Sequence, residues 1–148
     1  MRVLVVEDNA LILLALVDEL ESHGHTIIGP ARSSGEALLI LRRQRPDVAL
    51  VDIDLEEMGS GLHLACKLRD DFDVPVVLTT GRPEAARSSD CAVGLLTKPY
   101  SIDGVPSVIP VVRAIWQNQA VSLADVPQLE LLPYRRTLLN TSKSSRRQ

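Results

Sequence analysis

Apolar and polar positions along the chain fall into two alternating patterns. Short, largely apolar runs at Arg2–Val6, Thr26–Ile28, Val48–Val51, Val74–Thr79 and Val93–Thr97 have the length of strands. They carry almost no polar alternation, which predicts burial on both faces. Longer segments with helical periodicity lie between them. A helix is predicted from about Asn9 to Ser22, capped by Asp8 or Asn9 and followed by Gly24. Ser33-Ser34-Gly35-Glu36 has capping-box spacing, and Ala37–Arg43 continues a second helix. Ser60 is a candidate cap for a third over Leu62–Arg69. The segment Arg82–Cys91 admits a short helix but has no apolar stripe, so it is expected to be among the most mobile parts. Val108, Ile109, Val112, Ile115 and Trp116 form an amphipathic face, with Pro110 either near the helix start or at a kink.

Strands alternating with helices predict a parallel sheet covered by helices on both faces. Ligands in such sheets bind beyond the C-terminal strand ends. Those ends carry Glu7 and Asp8 after the first strand, Asp52 after the third, Thr80-Gly81 after the fourth and Lys98-Pro99 after the fifth. The second ends in Gly29-Pro30, which brings no chemistry. Three carboxylates at one edge repel each other and raise pKa values. A hard divalent cation such as Mg²⁺, which prefers oxygen ligands, relieves that repulsion. A carboxylate beside Mg²⁺ and a lysine is a competent nucleophile toward phosphorus. Each residue alone has an ordinary explanation as a cap, a strand exit or a solvated turn; it is their joint occurrence at four strand ends that points to a site.

The stretches VLVVEDN, DVALVDIDL, VPVVLTTG and LLTKPY resemble the receiver domain of two-component response regulators, over residues 1 to about 120. The resemblance implies an α/β, flavodoxin-like (βα)5 fold: a doubly wound parallel five-stranded sheet in the order 2-1-3-4-5. It implies that Asp52 is the phosphoacceptor. Glu7 and Asp8 resemble the Mg²⁺ acids, with Asp8 the direct ligand, and Asp52 and the backbone carbonyl of Asp54 complete the metal site. Thr80 resembles the switch hydroxyl and Lys98 the lysine that pairs with a phosphoryl oxygen, with Pro99 after it in a cis peptide. Asp54 and Arg82 fall at positions that tune autodephosphorylation. The implied partners are a histidine kinase or a histidine phosphotransfer protein and an unknown downstream protein, and a homodimer stays open.

Several features depart from the common receiver. Glu56 stands where a proline is usual, and the loop EEMGSG is one residue longer. Leu95 occupies the aromatic switch position and cannot make the usual aromatic swing, so any switch relies on repacking Arg82–Cys91 and the last helix face; the alternative is that Leu95 simply fills the core. Thr80-Gly81 in LTTGRP resembles the FAT-GUY group of receivers, without that group's Phe and Tyr. Two other readings compete. Asp52-Ile-Asp54 matches the DxD of haloacid-dehalogenase-type phosphatases, but that motif ends a first strand and is not followed by Glu at the Glu56 position. The other is a receiver-like binding module that no longer responds to phosphate.

Composition narrows the function further. The 148 residues, 45% hydrophobic, fit one ordinary domain. A net charge of -3 and only four aromatics (Phe72, Tyr100, Trp116, Tyr134) disfavour a general nucleic-acid binder. Residues 121–148 carry five basic and two acidic side chains, a balance of +3, which leaves -6 for residues 1–120. The chain therefore reads as a domain over 1–120 and a basic, disordered tail over 121–148, too short for a DNA-binding output domain. No apolar run reaches the roughly 18 residues of a membrane span, and Glu7-Asp8 interrupts the N-terminal run too early for a secretory signal. Cys66 and Cys91 lack CxxC spacing and flanking histidines, and read as two reduced thiols in a cytoplasmic protein.

Overall fold

A computed structural model of the chain describes residues 1–55 and 60–136. The elements are β1 (Arg2–Val6), α1 (Ala10–Ser22), β2 (Thr26–Ala31), α2 (Ser34–Leu41), β3 (Val48–Asp52), α3 (Ser60–Phe72), β4 (Val76–Thr80), α4 (Pro83–Arg87), β5 (Gly94–Thr97), a 3-10 turn (Ile102–Gly104), α5 (Val105–Trp116) and β6 (Glu130–Leu131). The predicted long loop after Asp52, with Glu56, lies outside the described residues, as do the Ser60 side chain and the tail beyond Arg136.

The sheet order is β2-β1-β3-β4-β5-β6, and β1 to β5 pair in parallel. The flavodoxin-like fold and the 2-1-3-4-5 order expected from the sequence are present. Strand residues alternate between two cores. Val3 and Val5 pack with Leu13, Leu16 and Leu20 of α1 and with Val108, Ile109 and Val112 of α5. Leu4 and Val6 pack on the other face with Ala37 and Leu41 of α2, Leu64, Ala65 and Leu68 of α3, and Ala86 of α4. Burying each large apolar side chain contributes about 1.5–3 kcal/mol, so a sheet sandwiched between two helical layers is strongly preferred.

Local chemistry sets the element ends. Asn9 caps α1 by accepting from the N–H groups of Leu11 and Ile12 at 3.0 and 3.1 Å. Ser33 Oγ accepts the Glu36 N–H at 3.1 Å, while the Glu36 carboxylate reaches past the usual box partner to the Arg32 N–H at 2.6 Å. Strand β2 does not stop at Gly29-Pro30. It runs to Ala31 through a register shift against β1, with Gly29 at φ +89°. It is the outermost strand, where a proline's missing N–H is tolerated. Helix α5 starts at Val105, so Pro110 lies inside it. A proline there cannot donate to the carbonyl of Pro106, and that carbonyl is met by His25 Nε2 at 3.3 Å.

Three expectations need correction. The sheet has a sixth strand, because residues predicted to belong to the disordered tail return to pair β6 antiparallel with β5. Val126, Leu129 and Leu132 are buried against the domain, which therefore continues past residue 120 to at least Arg136. The two cysteines are not separate thiols. Cys66 of α3 and Cys91, just before β5, form a disulfide with a Cα–Cα distance of 4.9 Å. They are 25 residues apart in sequence, and only the packing of α3 beside the α4–β5 link brings them together. Finally, Arg82–Cys91 is fastened rather than loose. Besides the disulfide, Arg69 bonds the backbone and side chain of Asp90 at 3.1 Å, and Arg87 forms a two-bond fork with Glu130 at 2.7 and 2.9 Å.

A cross-link over this separation stabilises by roughly 3 kcal/mol, chiefly by restricting the unfolded chain. Replacing both Cys66 and Cys91 by Ala should lower unfolding stability in denaturant by about that much. Reductant should lower the wild type toward the double variant and leave the variant unmoved; a wild type indifferent to reductant would show that no such bond forms.

Candidate functional site

The C-terminal ends of β1, β3, β4 and β5 place Glu7, Asp52, Thr80 and Lys98 at one edge, as parallel strands of matched length must. Glu7 and Asp52 are each 2% exposed and Thr80 is fully buried. One carboxylate oxygen from each of Glu7, Asp8 and Asp52 lies within 4.8 Å of the others. Lys98 Nζ sits 2.9 Å from Asp52 Oδ2 and 3.6 Å from Glu7 Oε1. The other Asp52 oxygen accepts the Asp54 N–H at 2.8 Å. Glu7 Oε2 accepts the Asp8 N–H at 3.1 Å, but Glu7 Oε1 is buried with no hydrogen-bond partner among the described residues. The Lys98–Pro99 peptide is cis, as the resemblance implies.

Electrostatics follow from this crowding. Burial, then the close-lying Asp52 carboxylate, push the Glu7 carboxyl up to about 8, against the pull of Lys98. Burial disfavours the Lys98 ammonium, but its bond to Asp52 and the surrounding acids overcome that and raise its pKa. The Tyr100 hydroxyl, buried and unpartnered among the described residues, is also shifted upward by burial and by Glu7 and Asp52. With Glu7 ionised, three carboxylates would face one ammonium and leave excess negative charge in a poorly solvated place. An all-oxygen donor set with one orphaned, buried carboxylate oxygen fits a hard divalent cation of the Mg²⁺ type.

The fourth strand end is organised around Asp54 rather than Asp52. The Thr80 hydroxyl donates to the Asp54 carboxylate at 2.9–3.0 Å, and the Gly81 N–H donates to it at 3.0 Å. Thr80 Oγ1 accepts in turn from the Arg82 N–H at 2.9 Å. The Arg82 guanidinium, 83% exposed, reaches Asp54 Oδ1 at 3.5 Å. Partial burial opposes ionisation of Asp54, but the donors from Gly81, Thr80 and Arg82 and the charge of Lys98 hold its pKa below the ordinary value. Asp54 and Arg82, the two residues at the tuning positions, therefore pair with each other. Leu95 is fully buried among Leu78, Ala86 and Leu132, so it fills the core.

Sequence reasoning passed over two contributors. Gly61, in the first turn of α3, lies against the backbone of the acceptor strand end. A Cβ there would stand 2.5 Å from the Asp52 carbonyl oxygen and from Ile53 Cα. The GSG stretch was visible, but nothing local marks which glycine is in contact. Tyr100 follows Lys98-Pro99 and lines a groove with Ile12, Pro99 and Ile102 beside Lys98.

Comparison with known proteins gives a consistent picture. Residues 3–109 match the response regulator receiver domain family. The phyllosphere-induced regulator PhyR of Methylorubrum extorquens is 36% identical over 111 residues, covering 73% of this chain and 42% of the relative. The transcriptional regulatory protein PhoP of Escherichia coli O157:H7 is 32% identical over 143 residues, covering 93% of this chain and 63% of PhoP. The chain therefore spans less than two thirds of the length of either regulator. Among solved structures, the Thermotoga maritima response regulator TrrA in complex with Mg²⁺ and BeF superposes with a TM-score of 0.66 at 27% identity, over 75% of this chain and 97% of that one.

Gly61→Ala tests the close approach. In an open helix that change would stabilise by up to about 1 kcal/mol. Here the methyl would meet backbone that cannot turn aside, and overpacking costs about 1–3 kcal/mol. The variant should unfold at lower denaturant than wild type; equal or greater stability would remove Gly61 from the support of Asp52.

Proposed function

This chain belongs to the response regulator receiver domain family, and from that premise we propose that Asp52 accepts a phosphoryl group from a histidine kinase or a histidine phosphotransfer protein. The observation that carries this reading is the Asp52 carboxylate itself, buried at a strand end, 2.9 Å from Lys98 Nζ and within 4.8 Å of the Glu7 and Asp8 oxygens. An Asp52 oxygen attacks phosphorus in line with the leaving nitrogen of a phosphohistidine. The P–N bond breaks with its electron pair going to nitrogen, an aspartyl phosphate forms, and the imidazole leaves neutral because its other ring nitrogen already carries a proton. Lys98 holds Asp52 in place beforehand and afterwards faces a phosphoryl oxygen. Thr80, bound to Asp54 in this state, supplies the hydroxyl that turns to the phosphoryl group.

Mg²⁺ would be held by Asp8, Glu7, Asp52 and the backbone carbonyl of Asp54, and when bound it offsets the charge of the acids and of the incoming phosphoryl oxygens. A phosphodonor must bring its imidazole to this recessed strand end, so it has to sit over the adjoining surface. That surface offers exposed Leu11 and Leu14 on α1, the helix whose Ile12 lines a groove with Pro99, Tyr100 and Ile102. A helix bearing the phosphohistidine suits that apolar face. The phosphatase reading of Asp52-Ile-Asp54 loses support, because it needs Asp54 as a proton donor. Here Asp54 accepts from Thr80, Gly81 and Arg82 and is held ionised.

Two experiments bear on this. Asp52→Asn keeps the shape and removes the nucleophile, so it should abolish the mass gain produced by acetyl phosphate and Mg²⁺ while leaving the circular dichroism spectrum unchanged. Labelling of the Asn variant at the wild-type rate would be fatal to the assignment. Mg²⁺ should also raise the melting temperature of the wild type, since it binds only the folded site, and Asp8→Asn should weaken this more than Glu7→Gln.

The lifetime of the phosphorylated state should depend on Arg82. The proposed shield is its pair with Asp54, and an exposed pair of this kind is worth about 0–1 kcal/mol. That limits the effect to about fivefold in rate. Arg82→Ala should shorten the phosphoryl half-life by a few-fold at unchanged Mg²⁺ affinity; an unchanged or longer half-life rejects the shielding role.

A further inference from the structure

Residues 126–136 fasten to both elements that lead away from the site. On one side, the Gln128 side chain brackets the backbone of Ser101. Its Oε1 accepts the Ser101 N–H and its Nε2 donates to the Ser101 carbonyl, each at 2.9 Å. Ser101 lies three residues beyond Lys98 in the same loop. On the other side, Glu130 receives the two-bond fork of Arg87 at the end of α4, a helix that begins three residues after Thr80. From the second clasp onward the segment pairs β6 with β5 and then runs back along the link that precedes β5. The Leu132 N–H donates to the Val93 carbonyl at 2.9 Å, and the Arg135 N–H donates to the Asp90 carbonyl at 2.8 Å. Leu129 lies so close over Gly94 that a Cβ there would come within 2.6 Å of its Cδ1.

Beyond β6, the segment is anchored more firmly. Tyr134 packs on Trp116 with ring centroids 5.5 Å apart and donates its hydroxyl to the Ile115 carbonyl at 3.0 Å. The Arg136 guanidinium lies 4.5 Å over the Trp116 ring and 3.1 Å from both Asp73 oxygens. The middle is weaker: β6 is two residues long, and the Arg87–Glu130 pair is about half exposed.

We propose that residues 126–136 are a strap that covers the β5 edge while Asp52 is unphosphorylated, and that phosphorylation loosens it and opens that edge to an extended partner segment. The two clasps fit one spacing between α4 and the loop after Lys98. Turning the Thr80 hydroxyl away from Asp54, and moving Lys98 onto a phosphoryl oxygen, alters the starts of both elements. A strap fixed at both points cannot follow both. Once it lifts, β5 presents an unpaired strand edge, the usual template for an added strand. The strap's own chemistry describes what fits: apolar residues at the positions of Leu129 and Leu132, with an acidic side chain between them for Arg87.

The proposal rests on Asp52 being the phosphoacceptor, so phosphorylation is followed separately by intact mass. The full chain is treated with Mg²⁺ and acetyl phosphate, and hydrogen exchange is read at the Leu132 and Arg135 amides. A fluorescent peptide of residues 126–136 serves as the probe for the open edge. Exchange at both amides should rise at least about tenfold on phosphorylation, and the peptide should bind the phosphorylated chain only. Glu130→Lys should give fast exchange and peptide binding without phosphorylation, while Arg87→Glu combined with Glu130→Arg should restore slow exchange. A mass gain with unchanged exchange, or a Glu130→Lys chain that keeps slow exchange, overturns the strap. The absence of any mass gain instead rejects the phosphoacceptor reading and, with it, this trigger.

Discussion

Glu7, Asp8 and Asp52 bring three carboxylates within 4.8 Å at the edge of a sheet whose surroundings are almost wholly apolar. One ammonium, that of Lys98, is within ion-pairing distance of two of them. Such a cluster is costly to assemble, because burial penalises each ionised group and the acids repel one another. The fold bears that cost by fixing every member to a strand end. Glu7 closes β1, Asp52 ends β3, and Lys98 follows β5, so no acid can retreat without breaking the strand ladder. Burial first, and then Asp52, push the Glu7 carboxyl up to about 8, so its charge is poorly tolerated there. A site built this way is poised to gain from anything that supplies positive charge or removes negative charge.

The same constraint explains why the fourth strand end is arranged differently. Thr80 is fully buried and its hydroxyl needs a partner. Asp52 already has both oxygens engaged, by Lys98 and by the Asp54 N–H. Asp54 provides the alternative, and by taking the Thr80 and Gly81 donors it becomes a settled anion. Thr80 is therefore held by a bond that competes with any future bond toward Asp52. The Thr80 hydroxyl cannot keep that bond and also turn to Asp52, and α4 begins three residues farther along the chain.

Most of the site was legible because strand ends are legible. Glu7, Asp8, Asp52, Thr80 and Lys98 each follow a short apolar run, and parallel strands can only deliver such residues to one edge. What escaped depends on contacts that no local pattern encodes. Strand β6 is two residues long, below the length at which a strand pattern can be read, and its partner lies more than 30 residues earlier. The disulfide joins cysteines with no recognisable spacing. Arg82–Cys91 reads as loosely packed because its own residues hold few apolar side chains, yet Arg69, Cys66, Glu130 and Arg135 fasten it from elsewhere in the chain. Gly61 supports Asp52 through the absence of a side chain, which a sequence shows without showing where it matters.

Leu95 then decides the route by which a change at the site can leave it. It is fully buried, paired with Leu78 on one side and with Glu130 on the other. A leucine packed among Ala86, Cys91 and Leu132 has no empty place to swing into, and moving it would open a void in a close-packed core. A side-chain rotation at this position would have to displace that packing. What can move are groups held by polar bonds at the surface: the start of α4 behind Thr80, the loop behind Lys98, and the Gln128 and Glu130 clasps that join them. The strand edge beneath those clasps is covered by a strand of only two residues, with Leu129 and Leu132 packed on either side of it.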